Sequence, residues 1–184
     1  MEMSIASQLS VGRRTPGEPP DDHSAAAFKQ VLGRFPTGVT VVAAAVDGTV
    51  RGMTANAFTS VSLDPPMVLV CIDRDTGMHD FITDAGAFTV SLLARGQGDT
   101  ATWFASPHRP EGSAQFNDVA WYPSPVSEAP VVEGAMGYVD CRLAHAYEGG
   151  DHTIFVGDVV ALEATGPPDP LVWYQGAYRE LQPE

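Results

Sequence analysis

Gly52-Met53-Thr54-Ala55-Asn56-Ala57-Phe58-Thr59-Ser60-Val61-Ser62-Leu63-Asp64-Pro65-Pro66-Met67-Val68-Leu69-Val70-Cys71-Ile72 is the stretch around which the rest of the chain is read. Its first half interleaves apolar residues with Thr54, Asn56, Thr59, Ser60 and Ser62, which bring hydroxyls and an amide without bulk. Asp64-Pro65-Pro66 marks a turn, and Met67 to Ile72 is an unbroken apolar run. Alternation, turn and short apolar run predict strand, turn and buried strand. In the first strand Met53, Ala55 and Ala57 share one small apolar face, opposite Thr54, Asn56 and Phe58. A flat ligand fits against either face, but hydroxyls are also common on a plain solvent-facing strand, so spacing alone leaves the ligand open.

Upstream, Asp47-Gly48 is a strong hairpin signal that joins a strand over Val39 to Val46 to a return strand over Thr49 to Phe58. Before it, Ser24 caps a helix in which Phe28, Val31, Leu32 and Phe35 recur at helical spacing, ended by Pro36 and expected to pack one face on the core. Residues 1–23 read as a tail and 24–184 as one domain. The tail lacks an apolar segment of signal-peptide length.

Downstream, Asp73-Arg74-Asp75-Thr76-Gly77 is a polar loop that opens a short helix through Met78, Phe81 and Ile82, ended by Gly86. Ala87 to Leu93 is a strand, and a helix carries Trp103 and Phe104. His108 to Pro130 is a Pro-, Ser- and Gly-rich surface excursion with Phe116, Trp121 and Tyr122 as anchors. Tyr138 to Tyr147 and His152 to Glu163 are long strands joined by Glu148-Gly149-Gly150-Asp151, and Leu171 to Tyr174 precedes a last short segment. Six or seven strands linked mainly by turns, with three short helices, predict a mainly β fold, an antiparallel barrel with helices at its ends.

The 184 residues suit a single domain, and 44% hydrophobic with 18% charged residues is ordinary globular composition. The net charge of −13 argues against nucleic acid or an anionic membrane as partner, and no apolar run approaches the length of about 18 residues that a membrane span needs. Cys71 and Cys141 lack metal-ligand spacing and read as buried thiols of a reducing cytoplasm. The five histidines show no zinc pattern, and no nucleophile elbow or Walker loop occurs. Lys29, the sole lysine, lies on the first helix, which disfavours Schiff-base chemistry. Gly96-Gln97-Gly98-Asp99-Thr100-Ala101 matches Gly-x-Gly-x-x-Ala, but the Pro-rich excursion follows where a dinucleotide fold needs a parallel strand, so it reads as a turn and helix start. Asp151-His152, in a glycine turn, presents an imidazole at a barrel rim.

Three ordered segments carry a resemblance: Phe35 to Val42 (FPTGVTVV), Gly52 to Pro66, and Gly150 to Val159 (GDHTIFVGDV). Together they resemble the short-chain flavin reductases, the reductase components of two-component flavin-dependent monooxygenases, over roughly residues 24–182. The resemblance implies an FMN-binding split barrel, a cytoplasmic homodimer, and reduction of FAD or FMN by NADH or, less favoured, NADPH, with release of reduced flavin to a partner flavin-dependent monooxygenase. It implies no metal. Met53, Thr54, Ala55, Asn56, Ala57 and Ser60 match the flavin strand, and Asp73, Arg74 and Thr76 match the loop near the phosphate. Gly150, Asp151 and His152 match the motif that meets the nicotinamide, with His152 positioning it, and Phe116 matches an aromatic near the flavin. Ala57, Gln115 and Gln175 stand where relatives often carry Ser or basic residues, which leaves Arg74 as the main cation for phosphate. The alternatives are a flavin-binding split barrel without reductase activity and an interaction domain that binds no flavin.

Overall fold

The computed structural model describes residues 24–181, so the expected tail over residues 1–23 lies outside the described residues. The strands are β1 (Thr37–Gly38), β2 (Thr40–Val46), β3 (Thr49–Ala55), β4 (Phe58–Leu63), β5 (Pro66–Asp73), β6 (Ala87–Leu92), β7 (Trp121–Pro123), β8 (Pro130–Val132), β9 (Gly137–Gly149), β10 (His152–Ala164), β11 (Leu171–Tyr174) and β12 (Ala177–Glu180). The helices are α1 (Ala25–Leu32), α2 (Gly77–Ala85) and α3 (Gly98–Ala105), with a 3-10 turn at Gly112–Phe116. Among the described residues no helix is long and apolar enough to cross a membrane.

Seven strands form one antiparallel sheet in the order β3-β2-β6-β9-β10-β5-β4. β3 and β4 occupy opposite edges, yet only Asn56 and Ala57 join them. Laid flat, the edges would be about 29 Å apart at about 4.8 Å per strand. The linker spans at most about 11 Å at about 3.8 Å per Cα step. The sheet therefore curls until its edges approach, without a ladder between them, which is the expected split barrel. The expected return strand over Thr49 to Phe58 is thus two strands, broken at Asn56-Ala57 where the chain crosses the seam.

β2 explains how two cores form. Thr40 to Ala44 are all buried because alternate residues face opposite ways: Val42 and Ala44 join Val70, Ile72, Phe88 and Phe155 inside the barrel, with Met78 and Ile82 of α2. Val41 and Ala43 face outward into a second core with Phe104 and Phe116. The β2–β3 turn places Asp47 and Gly48 at φ 49° and 77°, as a tight two-residue hairpin requires.

The excursion after α3 is more integral than a surface loop. Ser113 Oγ accepts from Val50 N–H and Gln115 Oε1 from Gly52 N–H, both at 3.0 Å, so side chains satisfy donors along the β3 edge. Gly52 admits this cover, since a Cβ there would lie 2.9 Å from Phe116 Cζ and 3.0 Å from Phe104 Cε1.

The first helix corrects its expectation. Ser24 caps α1 by accepting from Ala27 N–H, but none of its residues is buried, and Phe28 and Phe35 are 66% and 69% exposed. β1 pairs with β11, and Gly33 O accepts from Gln175 N–H, so the helix is held beside the barrel and away from its core.

Candidate functional site

Curling the sheet leaves a groove of about 990 Å³ along the seam. Phe28, Leu32 and Phe35 border it on the α1 side, Asn56 and Ala57 at the break, and Leu69 and Cys71 on β5. The walls are largely apolar, with polar groups at the break. Asn56 Nδ2 donates to Thr37 Oγ1 at 3.3 Å, and Ala57 O accepts from Cys71 N–H at 3.0 Å. The N–H groups of Asn56 and Ala57 make no main-chain hydrogen bond among the described residues. An apolar slot with main-chain donors at one edge suits a flat conjugated ring with polar atoms on its rim.

Strand β5 leads from the groove to the barrel rim. Leu69, Cys71 and Asp73 alternate with the buried Val70 and Ile72, so they share the outer face. Asp73 therefore lies about 7 Å beyond Cys71, at the barrel rim. Cys71 is only half-buried, which corrects the expectation of a buried thiol, and partial burial pushes its pKa up. Cys141 is buried, and both cysteines are free thiols.

At the rim two stretches far apart in sequence meet. Asp73 pairs with His152 in the β5–β10 register, and Arg74 N–H donates to Asp151 O at 3.0 Å. Asp73 Oδ1 accepts from Asp75 N–H at 2.9 Å, and Thr76 Oγ1 donates to Asp73 O at 2.7 Å, which folds the loop on itself before α2. The Arg74 guanidinium is half-exposed, with Glu148 at 4.0 Å as its nearest carboxylate. Gly150 has φ 74° in the turn, and Asp151 Oδ1 lies 2.7 Å from His152 Nδ1. That hydrogen bond, followed by the charge of the ring, lowers the Asp151 pKa. Behind the turn, His79 of α2 reaches Thr153 Oγ1 through Nε2 at 2.9 Å and Asp80 Oδ1 through Nδ1 at 3.0 Å, tying the helix to β10.

The remaining candidates separate by strand parity and burial. Thr54 and Asn56 line a recess of about 200 Å³ with Trp173 and Tyr178, and Thr54 Oγ1 donates to Ala101 O at 2.7 Å. Met53 and Ala55 pack in the inner core, and Ser60 is exposed on β4. Phe116 is 4% exposed in the second core, its ring 4.9 Å from Phe104 and 5.6 Å from Trp121. The structure does not bring Met53, Ala55 or Phe116 to the groove.

Gln115 and Gln175 do structural work. Gln115 is buried on Gly52, and Gln175 takes φ 51° in the β11–β12 turn. Gly96-Gln97-Gly98 is a turn into α3, with Gln97 Oε1 accepting from Ala94 N–H. Sequence reading missed Leu69 and Trp173 as groove residues. The outward alternation of Leu69 was hidden inside an apolar run that looked buried throughout.

A family model described as "Flavin reductase like domain" matches residues 32–182. The chain is 42% identical over 170 residues to an NADH-dependent FAD reductase of Streptomyces globisporus, covering 92% of each chain. It is 44% identical over 155 residues to the reductase component of 4-hydroxyphenylacetate 3-monooxygenase of Thermus thermophilus, covering 84% of this chain and 95% of that one. Its fold is similar, with TM-score 0.84 and 40% identity, to the NADH:FAD oxidoreductase of Streptomyces globisporus C-1027 in complex with NAD and FAD fragments, covering 91% of this chain and 98% of that one.

Proposed function

The chain belongs to the flavin reductase family, and on that premise we propose that it is an NADH-dependent flavin reductase that reduces FAD or FMN and supplies reduced flavin to a flavin-dependent monooxygenase. The observation that carries this reading is the seam. Breaking the strand at Asn56-Ala57 leaves main-chain donors beside an apolar groove, and β5 leads from Leu69 and Cys71 in that groove to a polar rim where Asp73 meets His152.

The residues fit the groups the reaction needs. Asn56 and Ala57 would hold the edge of the flavin ring, with Leu69 and Cys71 lining the groove beside it and Thr54 and Ser60 on the strands either side of the break. Asp73, Arg74 and Thr76 receive the phosphate, Arg74 through its guanidinium and Thr76 through the fold of the loop. Gly150, Asp151 and His152 receive the nicotinamide nucleotide. Held by Asp151 through Nδ1, His152 orients its partner without acting as a base. Nicotinamide and flavin, when bound together, supply the redox chemistry as a hydride transfer from C4 to N5. The protein's part is to bring the two rings face to face and keep water from between them.

Asp73, Asp75, Glu148 and Asp151 surround Arg74 at the rim. That acidic setting disfavours the extra 2′-phosphate of NADPH. A second copy of the chain covers the apolar side of α1, where Phe28, Leu32 and Phe35 stand exposed at the groove and Val31 is exposed beside them, making the working form a homodimer. We place it in the cytoplasm, where NADH is available, and expect no nucleic-acid partner for so acidic a chain.

Purified protein is tested by following nucleotide oxidation in air after addition of FAD or FMN. NADH is expected to be consumed at least about tenfold faster than NADPH, a preference worth about 1.4 kcal/mol. Absence of flavin-dependent oxidation of either nucleotide overturns the reading.

A further inference from the structure

Arg51 belongs to none of the motifs quoted above, yet it lies under the phosphate loop. It points from β3 toward the barrel end closed by α2, and a Cβ built on Gly77 would lie 2.6 Å from its Nη2 and 2.7 Å from both Cζ and Nη1. Three near-equal distances mean that the guanidinium plane faces the first residue of α2, directly after Asp73-Arg74-Asp75-Thr76. The side chain is 16% exposed, and Nη1 pairs with Glu111 Oε2 at 2.9 Å.

Within ion-pair distance Arg51 has one carboxylate among the described residues, Glu111, which is 87% exposed. Arg109 lies close enough that burial, followed by the charge of Arg51, lowers its pKa, with Glu111 opposing. Nε of Arg51 and Nε of Arg109 are both buried with no hydrogen-bond partner among the described residues. Arg51 thus pairs with one exposed carboxylate while a second guanidinium, Arg109, lies near enough to feel both charges, in a chain whose net charge is −13. Arg74, by contrast, is half-exposed on the loop itself, with Glu148 nearby.

We infer that Arg51 is a positioning residue for the flavin phosphate: packed against Gly77, it fixes the exit of the Asp73–Thr76 loop and adds the positive charge that the loop's own carboxylates would cancel. This rests on the flavin reading of the groove and adds a residue to it. Gly77 is part of the device, since any side chain there displaces the guanidinium. Planarity matters as well as charge, because a lysine ammonium cannot pack as a plane against the Cα.

Quenching of flavin fluorescence, titrated without NADH, separates phosphate from ring because riboflavin carries the ring alone. Wild type is expected to bind FMN more tightly than riboflavin. Arg51→Gln raises the Kd for FMN about tenfold and moves that for riboflavin by less than about twofold, with Arg51→Lys in between. Gly77→Ala, which keeps the arginine but pushes it away, gives the same selective loss and decides alone if Arg51→Gln does not fold. Parallel weakening of both flavins, or no change in either, makes Arg51 merely structural and overturns the inference. If wild type prefers FMN and the variants keep that preference, only the role of Arg51 falls. If wild type shows no preference, the phosphate reading of the loop falls with it.

Discussion

The groove and the rim lie on one face of one strand, β5, and are made of opposite materials. At Leu69 and Cys71 the wall is apolar, and its polar contribution comes from the main chain at a strand break. Two residues on, at Asp73, side-chain and loop hydrogen bonds gather: Arg74 to Asp151, Thr76 to Asp73, His152 to Asp151. A single β period therefore separates an apolar surface, which suits a conjugated ring, from a polar one, which suits charged groups. The difference teaches where to look for selectivity. Ring recognition should depend on shape and fail when the groove is filled, whereas nucleotide recognition should depend on a few side chains and fail one ligand at a time.

The largest expected effect lies outside both regions. Phe116→Ala removes a ring buried against Phe104 and Trp121 and should cost about 3–5 kcal/mol of stability, measured by denaturant unfolding. Flavin affinity of the folded fraction should be preserved. Loss of flavin binding at unchanged stability would make this aromatic part of the groove and break the division.

Filling the groove comes next. Ala57 is exposed at the break, so Ala57→Leu should leave the melting temperature alone while lowering kcat/KM for flavin about 100-fold, as misplacing a reactant by about 1 Å does. Steady-state kinetics at saturating NADH checks this. His152→Ala should raise KM for NADH about tenfold with flavin Kd unchanged. An unchanged KM for NADH would remove the nicotinamide from the rim.

The smallest effects concern the thiols, one in the groove and one in the core. Native protein should expose Cys71 to a thiol reagent, slowly because partial burial raises its pKa, and bound flavin should protect it. Cys141 should stay silent, since burial, reinforced by Asp140 and Asp158, pushes its pKa to about 12. A folded pKa above the unfolded value of 9.0 makes its contribution to stability complete below pH 9.0 and progressively lost as pH rises toward about 12. Unfolding measured across that window should show the loss in wild type and a shallower one in Cys141→Ala. Equal labelling of the two thiols would contradict the separation of groove from core.

Much of this architecture was legible in the residues. Asp47-Gly48, Gly86 after α2 and Gly150 each punctuate the chain where the structure turns, because few other residues accept those backbone angles. The break at Asn56-Ala57 was not legible, since the alternation of small and polar residues runs through it undisturbed. What interrupts the strand is sheet curvature, a property of all seven strands together. The exposure of α1 was hidden for a related reason: an amphipathic pattern says that a face favours cover but not which surface provides it. Resemblance named Met53 to Ala57 as one group, and the strand break then divided them, keeping Ala55 inward at the end of β3 and leaving Ala57 on the groove. Arg51 escaped notice because its neighbour Gly77 is distant in sequence and its role arises only from packing.

The most direct test of the account is anaerobic. Protein is mixed with FAD, titrated with NADH, and the flavin's visible absorbance is followed. Bleaching is expected to be one-to-one with NADH, to require the protein, and to proceed at a rate that saturates with NADH concentration. Flavin that stays oxidised while both nucleotides are demonstrably bound would contradict it.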